Sequence, residues 1–202
     1  ASIESENLQS LFACKLNKNT KLEVHFWKAT NIREVPANMT VPNSTAMQYD
    51  DANRLLINTT HLSRIGKINV KFASMDEDFN YVDGQKNIDS KIIAKSYITN
   101  TDYTCYFNIF KLNIGAALIN NNINSNNYQN SPIKENEKSL YTSLQSNYKG
   151  FAADFSIRKQ IHTNNTIPLV PSFGIKQNIF DMFTVRAKSN KSFRLPTFNE
   201  RF

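Results

Sequence analysis

Glycine and proline, the usual turn residues, are scarce in this chain of 202 residues, which contains 5 Gly and 6 Pro. A chain with many turns therefore has to build them from another residue. Asparagine is abundant instead and clusters in runs such as INNNINSNNYQN, residues 119–130. Because Asn tolerates left-handed backbone and hydrogen-bonds its own main chain, these runs predict asparagine turns.

Long apolar runs are absent as well. No window approaches the roughly 20 apolar residues that a membrane-spanning helix needs, and the mean hydropathy is -0.48. This pattern excludes a helical membrane protein. It leaves a membrane β-barrel open, because barrel strands alternate apolar and polar residues and therefore average out as hydrophilic.

Residues that carry chemistry are few. Cys14 and Cys105 are far apart, and His25, His61 and His162 have no thiol or carboxylate at metal-ligand spacing beside them. The sequence also has no nucleophile elbow and no glycine-rich phosphate loop. We therefore expect no metal site, no cofactor and no enzymatic activity.

The charge is basic but dispersed. Lys and Arg number 24 against 17 Asp and Glu, which gives a net charge of +7. The lysines form neither a dense cluster nor an aromatic-interleaved basic run, although a nucleic-acid-binding surface needs such a stripe or patch. We expect no nucleic-acid partner.

Alternation with a period of two dominates the sequence. In residues 21–27 (KLEVHFW) and 67–75 (KINVKFASM), apolar side chains alternate with polar ones, which indicates strands with one apolar face. Leu22, Val24, Phe26, Ile68, Val70 and Phe72 form the apolar stripes. Ten strands are predicted, at residues 7–16, 21–29, 53–62, 67–75, 91–99, 103–119, 138–147, 151–160, 168–177 and 180–189.

Tight and long connections alternate along this series. The predicted tight turns are residues 17–20, 63–66, 100–102, 148–150 and 178–179, and the predicted long connections are residues 30–52, 76–90, 120–137 and 161–167. Alternate connections of an up-and-down antiparallel sheet fall at opposite ends, so one end carries the turns and the other the loops. The pattern predicts an all-β fold, a partial antiparallel up-and-down transmembrane β-barrel of about ten strands. A soluble sandwich, in which Glu23, Lys67 and Lys71 face water and the stripes form the core, remains the alternative.

The run at 103–119 exceeds the 9–11 residues or so that cross a bilayer. Tyr103 and Cys105 share one parity, whereas Leu112 and Ile114 share the other. A β-bulge near Lys111 is predicted to produce this change of parity.

The segment SFRLPTFNERF, residues 192–202, resembles a motif within the barrel of TonB-dependent outer-membrane receptors, in which a strand end is followed by Arg-x-Pro-Thr-x-Asn-Glu and an aromatic residue. The matching positions are Arg194, Pro196, Thr197, Asn199 and Glu200. A second segment, VHFWKATNIREVPANMTVPNSTAMQYDDANRLLINTT, is similar to the middle of receptors of this family that are described as cobalamin or siderophore receptors. The resemblance places six of its residues around one extracellular loop: Trp27, Arg33, Glu34, Pro36, Gln48 and Asp50.

The resemblance implies that residues 1–202 form part of a single β-barrel domain, with the plug domain and the remaining strands of an about 22-stranded barrel outside this sequence. It further implies a bacterial outer-membrane location, contact with outer-membrane lipid, and a link to the TonB complex through the missing plug. The implied function is active uptake of a small chelate, cobalamin or a ferric siderophore. A soluble, secreted sandwich that acts as a binding or adhesin-like module is the alternative function.

Roles for the motif residues follow from their expected places. Arg33 and Glu34, ahead of Pro36, are interpreted as an anchor at the base of a long loop, and Arg194 and Glu200 as wall or loop-fold residues. Ligand contacts are expected from loop residues, because functional residues concentrate on loops over a rigid scaffold. The loop candidates are Met39, Tyr49, Tyr81 and Tyr128.

Overall fold

The computed structural model describes residues 2–36, 44–128 and 131–194, which form a single ten-stranded sheet in the order β1 to β10. The strands are β1 (Ile3–Asn17), β2 (Thr20–Glu34), β3 (Met47–Leu62), β4 (Gly66–Asp83), β5 (Ile88–Phe107), β6 (Phe110–Ser125), β7 (Ile133–Tyr148), β8 (Phe151–His162), β9 (Val170–Ile179) and β10 (Phe183–Asn190). One 3₁₀ turn, Phe180–Met182, precedes β10. Among the described residues, no helix has the length and apolarity needed to span a membrane.

Each strand pairs antiparallel with the next one in the chain. This confirms the predicted up-and-down sheet of about ten strands. The described residues form one sheet and not two facing sheets, so they do not build the alternative sandwich.

The run at 103–119 is a hairpin, and the prediction of one bulged strand was wrong. β5 ends at Phe107, Asn108 adopts a positive φ of 53°, and β6 begins at Phe110. A two-residue turn reverses the chain, so the parity of the apolar residues changes there without any bulge near Lys111. The predicted turn at 100–102 consequently lies inside β5.

The long connection predicted at 76–90 was also wrong. β4 continues to Asp83 and β5 begins at Ile88, which leaves only residues 84–87 between them. Asp83 Oδ1 accepts hydrogen bonds from the amides of Gln85 and Lys86 at 3.1 and 3.3 Å, an Asx turn that closes this short link.

The alternation of turn lengths nevertheless holds. At one end of the sheet, the tight-turn end, the links are residues 18–19, 63–65, 108–109, 149–150 and 180–182. At the other end, the loop end, they are residues 35–46, 84–87, 126–132 and 163–169. Every link at the loop end is longer than every link at the tight-turn end.

The strand register sorts the side chains onto two faces. Val24, Ile57, Phe72, Thr99 and Leu118 are consecutive partners across five strands, so they point to the same side. We call this side the apolar face. It also carries exposed Phe12, Ile68, Val70, Ile114, Leu140, Leu144, Phe155 and Phe173.

The opposite side is the polar face, and it is the concave one. Glu23, Asn58, Lys71, Asn100 and Ala117 are partners across it. The buried strand residues belong to this face without exception in the described part of the chain. They are Ala29, Gln48, Asp83, Gly115, Ala117, Ser125, Ile133, Glu135, Ser139, His162 and Gly174. Because side chains crowd together on the inside of a curved sheet, this distribution identifies the inside.

The apolar face carries a belt that ends abruptly towards the loop end. Along β5, its outward side chains run from Phe107 to Tyr97, after which Lys95, Ile93, Lys91 and Asp89 follow. These ten residue steps span about 33 Å along the strand. At the strand tilt of about 45° found in membrane barrels, the belt is about 23 Å high.

Gly115 shapes the polar face through close contact with an aromatic ring. It pairs with Tyr141, and a Cβ at Gly115 would overlap that ring. The Tyr141 hydroxyl donates to Asn100 Oδ1 at 3.2 Å, one strand further along the sheet. Tyr141 therefore covers the glycine and connects three strands.

We expect Gly115→Ala to destabilise the full-length protein in detergent by about 1–3 kcal/mol, because the new methyl group displaces the Tyr141 ring. Gly84→Ala is the matched control, since no atom lies within 4 Å of its Cβ position, and we expect a change below about 0.5 kcal/mol. Thermal unfolding measures both. The loss caused by Gly115→Ala should shrink in a Tyr141→Ala background, and an unchanged loss there contradicts the proposed contact.

Candidate functional site

The polar face, from mid-strand to the loop end, gathers a cation, an aromatic ring and several carboxylates. Three strands contribute to the first group: Trp27 on β2, Arg54 on β3 and Glu77 on β4. The guanidinium carbon of Arg54 lies 4.8 Å from the Trp27 ring centroid. Its Nε donates to Glu77 Oε1 at 3.0 Å.

These contacts position Arg54 more than they stabilise the fold. The side chains of Arg54 and Glu77 are 37% and 44% exposed, and solvent screening limits such an exposed ion pair to about 0–1 kcal/mol. The cation over the Trp27 ring adds about 0.5–1 kcal/mol. The result is a guanidinium held in one orientation on the concave surface, where the N–H groups that Glu77 does not engage can donate hydrogen bonds to a ligand.

The base of connection 35–46 brings several motif residues together. Arg33 is the register partner of Gln48, and Asn31 is the partner of Asp50. The amide of buried Gln48 donates to both Asp50 carboxylate oxygens at 2.9 and 3.0 Å. Arg33, Gln48 and Asp50 are therefore neighbours on the polar face at this loop base.

The other motif residues of this segment lie apart from that group. Glu34 points to the opposite face beyond the apolar belt, where the Ser2 amide donates to its Oε2 at 2.9 Å. This hydrogen bond lowers the pKa of the Glu34 carboxyl below its ordinary value. Pro36, two residues after the end of β2, is exposed. Trp27 lies further down β2, in the wall, and the anchoring role of Arg33 and Glu34 stays a prediction.

A second polar group lies on β7 and β8 at the same end. His162 Nε2 lies 3.4 Å from Glu135 Oε2, and both side chains are 3% exposed. His162 Nδ1 accepts a hydrogen bond from the Asn164 amide at 3.2 Å. Because a backbone amide only donates, the ring proton belongs on Nε2, which faces Glu135. No spacing in the sequence signals this pair, because only the register of β7 and β8 brings it together.

Connection 163–169, which follows His162, is ordered by contacts with β7 and β8. Ile167 is only 1% exposed, and its carbonyl accepts a hydrogen bond from Lys159 Nζ at 2.7 Å. The Thr163 amide donates to the Asn136 carbonyl at 3.1 Å. This connection is therefore an ordered rim of the concave surface.

We expect Ile167→Ala to speed amide hydrogen exchange in residues 163–169 by at least about tenfold, because the buried side chain that pins the connection is lost. The measurement is hydrogen–deuterium exchange on the full-length protein in detergent. Ile161→Ala is the control, since Ile161 is 63% exposed on the apolar face. Equal protection in both variants contradicts the role of Ile167.

The loop candidates for ligand contact occupy different surfaces. Tyr81 lies half-buried on the polar face as the partner of Gln48. Tyr49 points to the outer face, and Tyr128 lies half-buried in connection 126–132. Arg194 is exposed in the segment after β10. The remaining predicted positions lie outside the described residues: Met39, Pro196, Thr197, Asn199 and Glu200.

In the described ranges, no group of three or more His, Cys, Asp or Glu side chains is placed to hold a metal ion. Cys14 and Cys105 are free thiols, and their partners Leu22 and Leu112 place both on the apolar face. The candidate site is therefore the polar, concave surface near the loop end.

Comparison with known proteins gives matches at the level of structure. No protein-family model matches the chain, and no curated protein sequence matches it. The siderophore receptor PirA from Pseudomonas aeruginosa superposes with a TM-score of 0.79 at 14% identity, covering 97% of this chain and 34% of that one. The alcaligin outer membrane receptor FauA from Bordetella pertussis gives 0.72 at 13% identity, covering 92% and 35%. The ferric citrate transporter FecA gives 0.73 at 8% identity, covering 93% and 36%.

These likenesses confirm the predicted fold. The ten-stranded sheet has the fold of part of a receptor β-barrel, left open in this structure. The chain spans about a third of the length of the receptors that it matches. The resemblance to TonB-dependent receptors, inferred from two sequence segments, is thus confirmed for the fold.

Proposed function

We propose that this chain is part of the barrel wall of a TonB-dependent outer-membrane receptor that takes up a ferric chelate. The observation that carries the proposal is the superposition with PirA over 97% of the chain at a TM-score of 0.79. The plug domain and the remaining strands belong to the rest of that receptor, and TonB acts through the plug.

The apolar belt supports a location in the bacterial outer membrane. Its height of about 23 Å agrees with the apolar band of about 25 Å in outer-membrane barrels. Aromatic residues lie at its tight-turn border, including Phe107, Tyr148 and Phe151, as in the girdles of these barrels. The tight turns then face the periplasm and the longer connections face the cell exterior.

An iron chelate is the substrate class that we favour over cobalamin. The names of the superposed proteins refer to a siderophore and to ferric citrate. On this chain, Arg54 and the Trp27 ring offer a fixed cation and an aromatic surface on the concave side. An oxygen-rich chelate suits both groups, because Arg54 retains N–H donors beyond the two that Glu77 accepts.

The membrane orientation is tested with spin labels at two adjacent positions. Val70 lies on the apolar face and Lys71 on the polar face. With a label on Val70→Cys, in an otherwise cysteine-free receptor in liposomes, we expect high accessibility to oxygen and low accessibility to a nickel chelate. The label on Lys71→Cys should show the reverse order. Equal accessibility to both reagents at the two sites contradicts a lipid-facing belt.

Uptake by the whole receptor tests the function. We expect receptor-dependent and TonB-dependent uptake of radioactive iron from a chelate, and no receptor-dependent uptake of radioactive cobalamin. Arg54→Ala should weaken chelate binding to the purified receptor about tenfold, the loss expected for one charged hydrogen bond of about 1.5 kcal/mol. Arg64→Ala, at the tight-turn end, is the control. Cobalamin uptake without iron uptake excludes the proposed substrate class.

A further inference from the structure

The apolar belt ends at a border that is rich in lysine. On each strand from β2 to β8, the first outward Lys, Asp or Asn beyond the belt marks this border. These residues are Lys28, Asn53, Asp76, Lys95, Asn120, Lys138 and Lys159. A lysine at this height is placed where lipid head groups meet water.

The lysines on β5 are neutralised by aspartates on β4. Lys95 Nζ lies 3.1 Å from Asp76 Oδ2, and Lys91 Nζ lies 3.3 Å from Asp78 Oδ2. This part of the border is therefore close to neutral.

The lysines on β7 and β8 have no such partners. Lys138 is opposite Ile161 and Lys159 is opposite Leu140, so the two lysines are diagonal neighbours with Cα atoms about 7 Å apart. Lys134 lies on the same face of β7. Within the described part of the chain, none of the three forms an ion pair with a carboxylate.

The nearby carboxylates of β7 point away from these lysines. Glu135 and Glu137 have the opposite parity and engage His162 and Arg158 on the polar face. The outward residue between Lys134 and Lys138 is neutral Asn136. We call Lys134, Lys138 and Lys159 the lysine triad, an uncompensated positive patch on the outer face.

An exposed apolar side chain adjoins the triad on the belt side. Leu140 follows Lys138 on the same face of β7, is the register partner of Lys159, and is 68% exposed. The lysines would meet the charged head group of an anionic lipid, and the exposed hydrocarbon on the belt side would meet its acyl chain.

We propose that the lysine triad binds the phosphate of an anionic lipid in the outer leaflet, with Leu140 against its acyl chain. This inference rests on the proposed membrane location. Lysine ammonium groups bind phosphate as point charges, and each basic residue near a membrane surface strengthens binding to anionic lipid. The paired lysines of β5 offer no comparable site because Asp76 and Asp78 repel a phosphate.

Native mass spectrometry of the full-length receptor in neutral detergent tests the proposal, with phosphatidylglycerol and phosphatidylcholine as probes. We expect the receptor to retain phosphatidylglycerol in preference to phosphatidylcholine. In the double variant Lys134→Gln, Lys138→Gln this preference should fall on the order of tenfold, while phosphatidylcholine retention stays unchanged. Lys159 is left intact because its Nζ also holds the Ile167 carbonyl.

The matched control is Lys91→Gln, Lys95→Gln, which removes the same charge from the same face of the sheet. It should change the preference less than about twofold, because its charges were already neutralised. An equal fall in both double variants means attraction by net charge and overturns the proposal. Full displacement of phosphatidylglycerol by inorganic phosphate also overturns it, because the ligand is then a soluble anion.

Failure of the proposed function gives a different result. In that case the protein remains monodisperse without detergent and retains neither lipid. A receptor that requires detergent but shows no preference between the lipids leaves the membrane location intact and refutes the site.

Discussion

The antiparallel backbone ladder is the interaction on which this structure depends. Strand side chains alternate between faces, so the pairing register determines whether each residue faces outward or inward. Two-residue turns such as 108–109 and 149–150 fix the register between the strands that they join, so apolar residues face the same side on both strands. One slip by a single residue would place Glu23 or Lys71 in the apolar belt. Buried contacts on the concave face, such as that of the Tyr141 ring with Gly115, stabilise the same register.

The fold class and the number of strands were predictable because alternation survives in sequence wherever one face is apolar. The errors have physical causes. The turn at Asn108 contains neither glycine nor proline. Its only signal in the sequence is the change in parity of the apolar residues. Between residues 76 and 83, Asp76, Asp78 and Asn80 point outward above the belt, so a strand that is polar on its outer face looked like a loop. Alternation of apolar and polar residues reveals a strand only over the part whose outer face lies in the apolar belt.

The candidate site was less predictable than the fold. Sequence resemblance singled out Trp27, but its partner Arg54 becomes evident only through the pairing of β2 with β3. Gln48 and Asp50 are two positions apart and therefore share a face, which alternation alone could suggest. His162 and Glu135 belong to different strands, and no local pattern connects them. Contacts between strands depend on register, which a single sequence does not specify to the residue.

The extension of β4 and β5 beyond the belt has a mechanical consequence. From Asp76 to Asp83, β4 rises about 23 Å along its axis, paired throughout with β5. β3 pairs with the same stretch of β4, from Asn53 opposite Asp76 to Met47 opposite Val82, so bending it breaks cooperative hydrogen bonds on both sides, whereas moving a free loop breaks few. This part of the rim is therefore a rigid continuation of the sheet and not a hinged lid.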